Sequence, residues 1–291
     1  MMGRVVVYGV DHSPWVQGVC LSLHRLGVSY ELVSQPTSLE GYRSGGMIMP
    51  VVRWSEGGQT SDSFAVYERL AQRCVLRGGS GLVHRDQVEL ERFFIGYVFT
   101  RVSPGKHWRF LRGWAQMRSD RRAGFSTIFR AFMYLYFYLL ILIGRLHASR
   151  RGRVPDDLTP WVERLDDWVG RLGSKTFFGG DEPDFLDDAL FGQVQCLASG
   201  LTPEAMERLL ACEPLRAWIG AMNQRYADYR HLYSSLERKP LRSSVRERLL
   251  FYSALGTMVL AAPVTMAFLA DAFRRRSGRP NRSGGRLKAR V

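Results

Sequence analysis

Three short segments carry side chains whose types and positions could do chemistry. In DHSPWVQGVCLSLHRLG a β-type run, Val5 to Tyr8, ends in a turn, and Ser13 stands directly before Pro14 and an apolar-periodic stretch. A helix N-terminus presents free N–H groups and a positive dipole end, so a hydroxyl there can steady an anion by donating to it. A plain helix cap followed by proline at the first helical position has the same sequence, and both readings of Ser13 stand. The second segment, SDSFAVYERL, opens a further helical pattern on Asp62 and Ser63, which is equally an ordinary helix start. The third is MIMPVV, where Met49 precedes Pro50 at the entry to a strand and a cis bond is expected.

The elements that must position these residues fall into two lobes. Residues 4–72 alternate strand and helix signals: strands at 5–8, 29–33 and 49–54, helices at 14–26 and 63–72. In the first helix Val16, Val19, Cys20, Leu23 and Leu26 recur at helical spacing and make one apolar face. A Gly-rich linker at 77–81 follows, and the chain then reads as almost wholly helical, with periodic stretches at 88–102 and 158–172. Within GGDEPDFLDDALFGQVQCLA, Asp184 is a helix cap with Asp187 at the third helical position, a charge-favoured start after a turn. The expected domains are an α/β unit over 1–76, an all-α unit over 84–236, a membrane helix over 249–270 and a basic disordered tail over 274–291.

At 291 residues and 46% hydrophobic, the chain can bury a core in each lobe, which excludes a disordered protein. The start runs into a strand with no apolar leader, so the two-lobe region is expected to be cytoplasmic. Cys20, Cys74, Cys196 and Cys212 have no C-x-x-C spacing and no histidine partners, so neither a metal site nor a disulfide framework is expected. The formal charge of +14 is local: the segments 106–124, 145–153, 237–248 and 274–291 hold more than all of it, leaving the remainder net acidic. These clusters bracket the two most apolar runs, 125–144 and 249–270. That placement suits an anionic membrane surface better than nucleic acid.

The run at 249–270 is uncharged for about 22 residues, enough to cross a hydrocarbon core of about 30 Å, with Pro263 a tolerated kink. Simple spanning is expected, with a shallow or in-plane segment as the alternative, since both flanks are basic. The run at 125–144 is interrupted by Arg130 and is read as a core, subunit-contact or interfacial helix.

Taken together, SPWVQ, MIMPVV and SDSFAVYERL, with FFGGDEPDFLDDALFG further on, resemble the glutathione transferase superfamily over residues 4–232. SPWVQ is similar to the opening of the serine-type enzymes. The C-lobe segment is similar to metaxin-like branches, and the whole chain looks most like an uncharacterised bacterial membrane-anchored group. The resemblance implies a thioredoxin-like N-terminal domain, a helical C-terminal domain and glutathione as co-substrate. It also implies roles. Ser13 would steady the glutathione thiolate, Met49 beside Pro50 would pair with the peptide, Asp62 and Ser63 would hold the γ-glutamyl end, and Trp15 would pack or line the acceptor pocket. Gln17 departs from the pattern, which has arginine there, and Arg43 or Arg53 would have to replace a missing lysine. The implied function is a membrane-anchored transferase conjugating or reducing an apolar electrophile, with membrane lipid as a partner and a possible homodimer; the alternative is a non-catalytic scaffold.

Overall fold

The computed structural model describes residues 4–9, 13–33, 38–45, 49–75, 86, 90, 150, 159–198, 203–230, 232 and 245–277. The N-terminal third alternates as expected, with two short additions: β1 (Val5–Tyr8), α1 (Pro14–Arg25), β2 (Tyr30–Val33), α2 (Leu39–Gly45), β3 (Val51–Arg53), β4 (Gln59–Ser61) and α3 (Ser63–Val75). The sheet order is β2-β1-β3-β4, parallel between β1 and β2 and antiparallel thereafter. This is the thioredoxin-like arrangement. The β-branched triplet Val5-Val6-Val7 suits a strand covered on both faces, and Val7, Val51 and Val52 are fully buried.

The helical half contains α4 (Thr159–Leu172), α5 (Phe185–Ala198), α6 (Pro203–Ala211) and α7 (Glu213–Arg225). Helix α5 is buried from Phe185 to Leu197, so it is the axis of this lobe rather than a half-exposed surface helix. Helix α1 packs between the sheet and α5, and one apolar cluster runs from Val7 and Val16 through Phe191 to Trp218 and Trp161. A mixed α/β lobe with a four-stranded sheet and a helical lobe against it are the two-lobe arrangement expected from the sequence.

The crossing of α1 and α5 is made by two glycines. A Cβ placed on Gly192 would lie 2.5 Å from the Pro14 carbonyl oxygen and 2.6 Å from the Gly18 nitrogen, and one on Gly18 would meet the Tyr67 hydroxyl at 2.3 Å. Backbone atoms cannot swing aside, so the helices touch only because neither carries a side chain there. Gly192→Ala is expected to lower unfolding stability by about 1–3 kcal/mol through overpacking, read in a denaturant titration. An unchanged midpoint would mean the helices can separate freely.

The C-terminal region corrects two expectations. The uncharged run 249–270 is not one uninterrupted helix: the chain forms α8 (Val245–Leu260) and α9 (Ala262–Ser277), with a break at Ala261. Hydrogen bonds from the Ala261 N–H to the Thr257 carbonyl (2.9 Å) and from the Thr265 N–H to the Ala261 carbonyl (3.0 Å) carry the backbone across the break. Pro263 has no N–H to offer the Val259 carbonyl, which is the physical reason for the interruption. Among the described residues no helix is long and apolar enough to cross a membrane. Residues 274–277, assigned from sequence to a disordered tail, continue α9, because Arg275 is engaged by Asp271 and by the carbonyl of Arg43. The run 125–144, the linker 77–81 and most of the periodic stretch 88–102 lie outside the described residues.

Candidate functional site

The strand register brings the three sequence segments to one end of the sheet. Tyr8 of β1 pairs with Val51 of β3, and Val51 pairs with Ser61 of β4. The chain leaving Tyr8 toward Ser13, the chain arriving at Val51 through Met49 and Pro50, and the chain leaving Ser61 into Asp62 and Ser63 therefore share that end. Pro50 and Asp62 are joined directly, the Asp62 N–H donating to the Pro50 carbonyl at 3.1 Å. The Met49–Pro50 bond is cis, as expected from the sequence.

Ser13 sits in extended backbone at the head of α1, with Pro14 at the first helical position. Its side chain makes no capping hydrogen bond, although its carbonyl accepts the first helical N–H, from Gln17, at 2.8 Å. The residue is 4% exposed. The hydroxyl is thus held at a helix N-terminus without the usual work of a cap serine.

Asp62 adopts φ +87°, a left-handed conformation that a residue with a Cβ holds at a cost of about 1–3 kcal/mol. Its Oδ1 accepts the Phe64 N–H at 2.9 Å, so part of the carboxylate caps α3, and Ser63 beside it is buried. Trp15 packs on Phe64 with ring centroids 6.0 Å apart, which ties the head of α1 to the head of α3. Gln17 Oε1 accepts the Tyr229 hydroxyl at 3.0 Å, a bond that joins α1 to the helical lobe. Among the described residues no group of histidine, cysteine, aspartate and glutamate side chains could hold a metal ion.

No protein-family model matches the chain, and no curated protein matches it either. The solved structures to which the chain is similar include glutathione transferases. They include glutathione S-transferase I from maize with an atrazine–glutathione conjugate, at 14% identity and a TM-score of 0.46, covering 81% of this chain and 100% of that one. Glutathione transferase F7 from Populus trichocarpa has 18% identity and a TM-score of 0.44, with coverage of 80% and 100%. A glutathione S-transferase from Methylobacterium radiotolerans in complex with glutathione sulfonate has 17% identity and a TM-score of 0.44, with coverage of 83% and 100%.

Two fully buried carboxylates, Asp187 and Asp188, stand in the first turn of α5, just after its cap Asp184. Asp184 Oδ1 accepts the N–H groups of Leu186 (2.7 Å) and Asp187 (3.1 Å), while Asp187 returns the bond by accepting the Asp184 N–H at 3.0 Å. Asp187 also accepts from the Phe178 and Gly179 N–H groups, both at 2.9 Å, and from the Trp218 indole at 2.8 Å. Burial, with the neighbouring Asp187 charge adding to it, pushes the Asp184 carboxyl up.

Asp188 is the second. It accepts Arg25 Nε at 2.9 Å, the Ser22 hydroxyl at 2.7 Å and the Tyr226 hydroxyl. Burial pushes its carboxyl up, against the opposing pull of Arg25, Tyr226 and Ser22. Sequence reasoning placed Asp184 and Asp187 at the helix start, but it missed this network. The available signal was the repeated Asp in FLDDALFG, with one acidic side chain too many for a capping pair.

Proposed function

We propose that the protein is a glutathione transferase-like enzyme that acts on an apolar electrophile at a membrane surface. The observation that carries this is Ser13: a buried hydroxyl at the head of α1, making no capping bond, at the sheet end where Pro50 and Asp62 meet. Its O–H would donate to the thiolate of bound glutathione, with the α1 N-terminus adding its dipole, and so lower the thiol pKa. The thiolate, not the serine, attacks the electrophile. The Met49 backbone would pair with the peptide, and Asp62 and Ser63 would hold its γ-glutamyl end. Trp15 would face the acceptor side. The Asp62 backbone supports the reading, since strained residues persist where the surroundings over-determine them.

Calorimetric titration of glutathione into the full chain tests this, with Ser13→Ala and Asp62→Asn beside it. Asn keeps the oxygen that caps Phe64 and tolerates the left-handed backbone, so Asp62→Asn removes mainly charge. The expected result is binding that Asp62→Asn weakens. Ser13→Ala should lose the ultraviolet thiolate signal and turn over about tenfold to hundredfold more slowly, the value of one hydrogen bond to a charged group. No heat from the folded wild type would overturn the transferase reading and leave the non-catalytic scaffold.

A further inference from the structure

The two ends of helix α9 have different fates. Toward its C-terminus Phe268 stacks on Tyr42 of α2 with centroids 5.7 Å apart and planes 9° from parallel, and Leu269 and Ala272 are buried. The Tyr42 hydroxyl donates to Asp271 Oδ2 at 3.0 Å, Arg275 Nε donates to the same oxygen at 2.7 Å, and the Arg275 guanidinium lies 5.4 Å over the Tyr42 ring. Ahead of that latch, along α8 and the first turn of α9, large apolar side chains lie open: Leu260 is 88% exposed and Val264 73%, with Leu249, Val259 and Met266 more than half exposed. Scattered surface apolar residues are ordinary, but a run of them over a segment with no charge from 249 to 270 is not.

The chemistry of the flanks selects the occupant. Arg246 and Arg248, with Glu247 between them, stand at the head of α8, and Arg274 and Arg276 flank the latched Arg275 at the end of α9, so the sequence carries net positive charge at both ends of the apolar stretch. A bilayer with anionic headgroups offers both complements at once, an apolar layer beneath a negative surface. Crossing is another matter. Each helix has 16 residues, about 24 Å of rise against a core of about 30 Å, and the end of α9 is latched to α2 on the folded lobe.

We propose that α8 and the start of α9 form a docking surface that lies in the plane of an anionic bilayer without crossing it, while the rest of α9 stays latched on α2. This rests on the membrane part of the function proposed above and is independent of its glutathione part. The latch on α2 ties the docked arm to the lobe that holds the candidate site.

The test adds the full chain to preformed phosphatidylcholine vesicles with and without phosphatidylglycerol and reads flotation. Binding is expected to the anionic vesicles, reversed by high salt, and at least about tenfold weaker for Val259→Asp with Leu260→Asp, two open positions on α8, outside the latched helix. The α2 amides should keep their hydrogen-exchange protection in the bound state. Binding that survives alkaline carbonate would mean a crossing helix and overturn the in-plane arrangement alone. Loss of α2 protection on binding would overturn the latch. Absence of binding overturns the membrane reading as well, whatever heat glutathione gives. A dimer that the same double variant dissociates, with vesicle binding unchanged, would assign the face to a second copy and overturn the proposal.

Discussion

Asp187→Ala is expected to cost about 4 kcal/mol or more, the largest effect of any single substitution considered for this protein. The carboxylate is fully buried and receives four N–H groups: those of Phe178, Gly179 and Asp184 in the backbone, and the Trp218 indole. Alanine leaves all four without their acceptor, and a buried donor left unpaired costs about 1–3 kcal/mol. The count is discounted because the loop at 177–180 can relax and admit water. Asp187→Asn should fall between, since its amide has one acceptor oxygen and offers donors where donors already stand. Thermal unfolding with near-ultraviolet dichroism of Trp218 checks both. A shift in midpoint smaller for Ala than for Asn would show that the loop, not the carboxylate, holds this helix start.

The second large effect belongs to Arg25→Met. Asp188 would lose the guanidinium that faces it at 2.9 Å while remaining buried, and stranding one partner of a buried pair costs about 3–5 kcal/mol. The effect is expected to depend on pH in a definite direction. Burial already holds the Asp188 carboxyl above its usual value, and removing Arg25 removes the first of the influences that pull it back. A carboxyl raised on folding contributes stability that is complete below its unfolded pKa, about 3.9, and is lost as pH rises through the folded value. The penalty of Arg25→Met should therefore be greatest at neutral pH and shrink as pH falls toward 4. Denaturant midpoints of wild type and variant across that range provide the measurement; a constant difference would show that the pair contributes through packing on Phe185, over whose ring the guanidinium also lies at 5.1 Å.

Where apolar residues recur with a clear period, the fold was legible. The periodic stretch at 158–172 is α4 (Thr159–Leu172), and the expected helices at 14–26 and 63–72 are α1 and α3 within a few residues. Helix α2 was not legible. Its residues, Leu39-Glu40-Gly41-Tyr42-Arg43-Ser44-Gly45, have two glycines and little apolar pattern, and its support comes from α9 at the far end of the chain. Strand β4 escaped for a related reason, being three polar residues that become a strand only by pairing with β3.

At the candidate site the residue types were legible and their duties only partly so. Ser13 before Pro14 reads equally as a cap, and only the geometry shows that its side chain makes no capping bond. Gln17 read as a departure from the serine-type pattern, yet its partner, Tyr229, lies 212 positions away and no local signal points to it. The break at Ala261 was foreshadowed by Pro263, whereas the docking of α9 depends on Asp271 reaching a tyrosine in the other half of the sequence.

That last contact also orders events during synthesis. Tyr42 and Asp271 are 229 residues apart, so at roughly 5–20 residues per second the ribosome takes about 10–45 s to deliver the partner of α2 after making α2 itself. The sheet and α1 can assemble in that interval, but α2 remains without its cover. The nascent chain thus passes through a stage in which the Tyr42 face of α2 is open to chaperones, and α9 closes a segment made among the first.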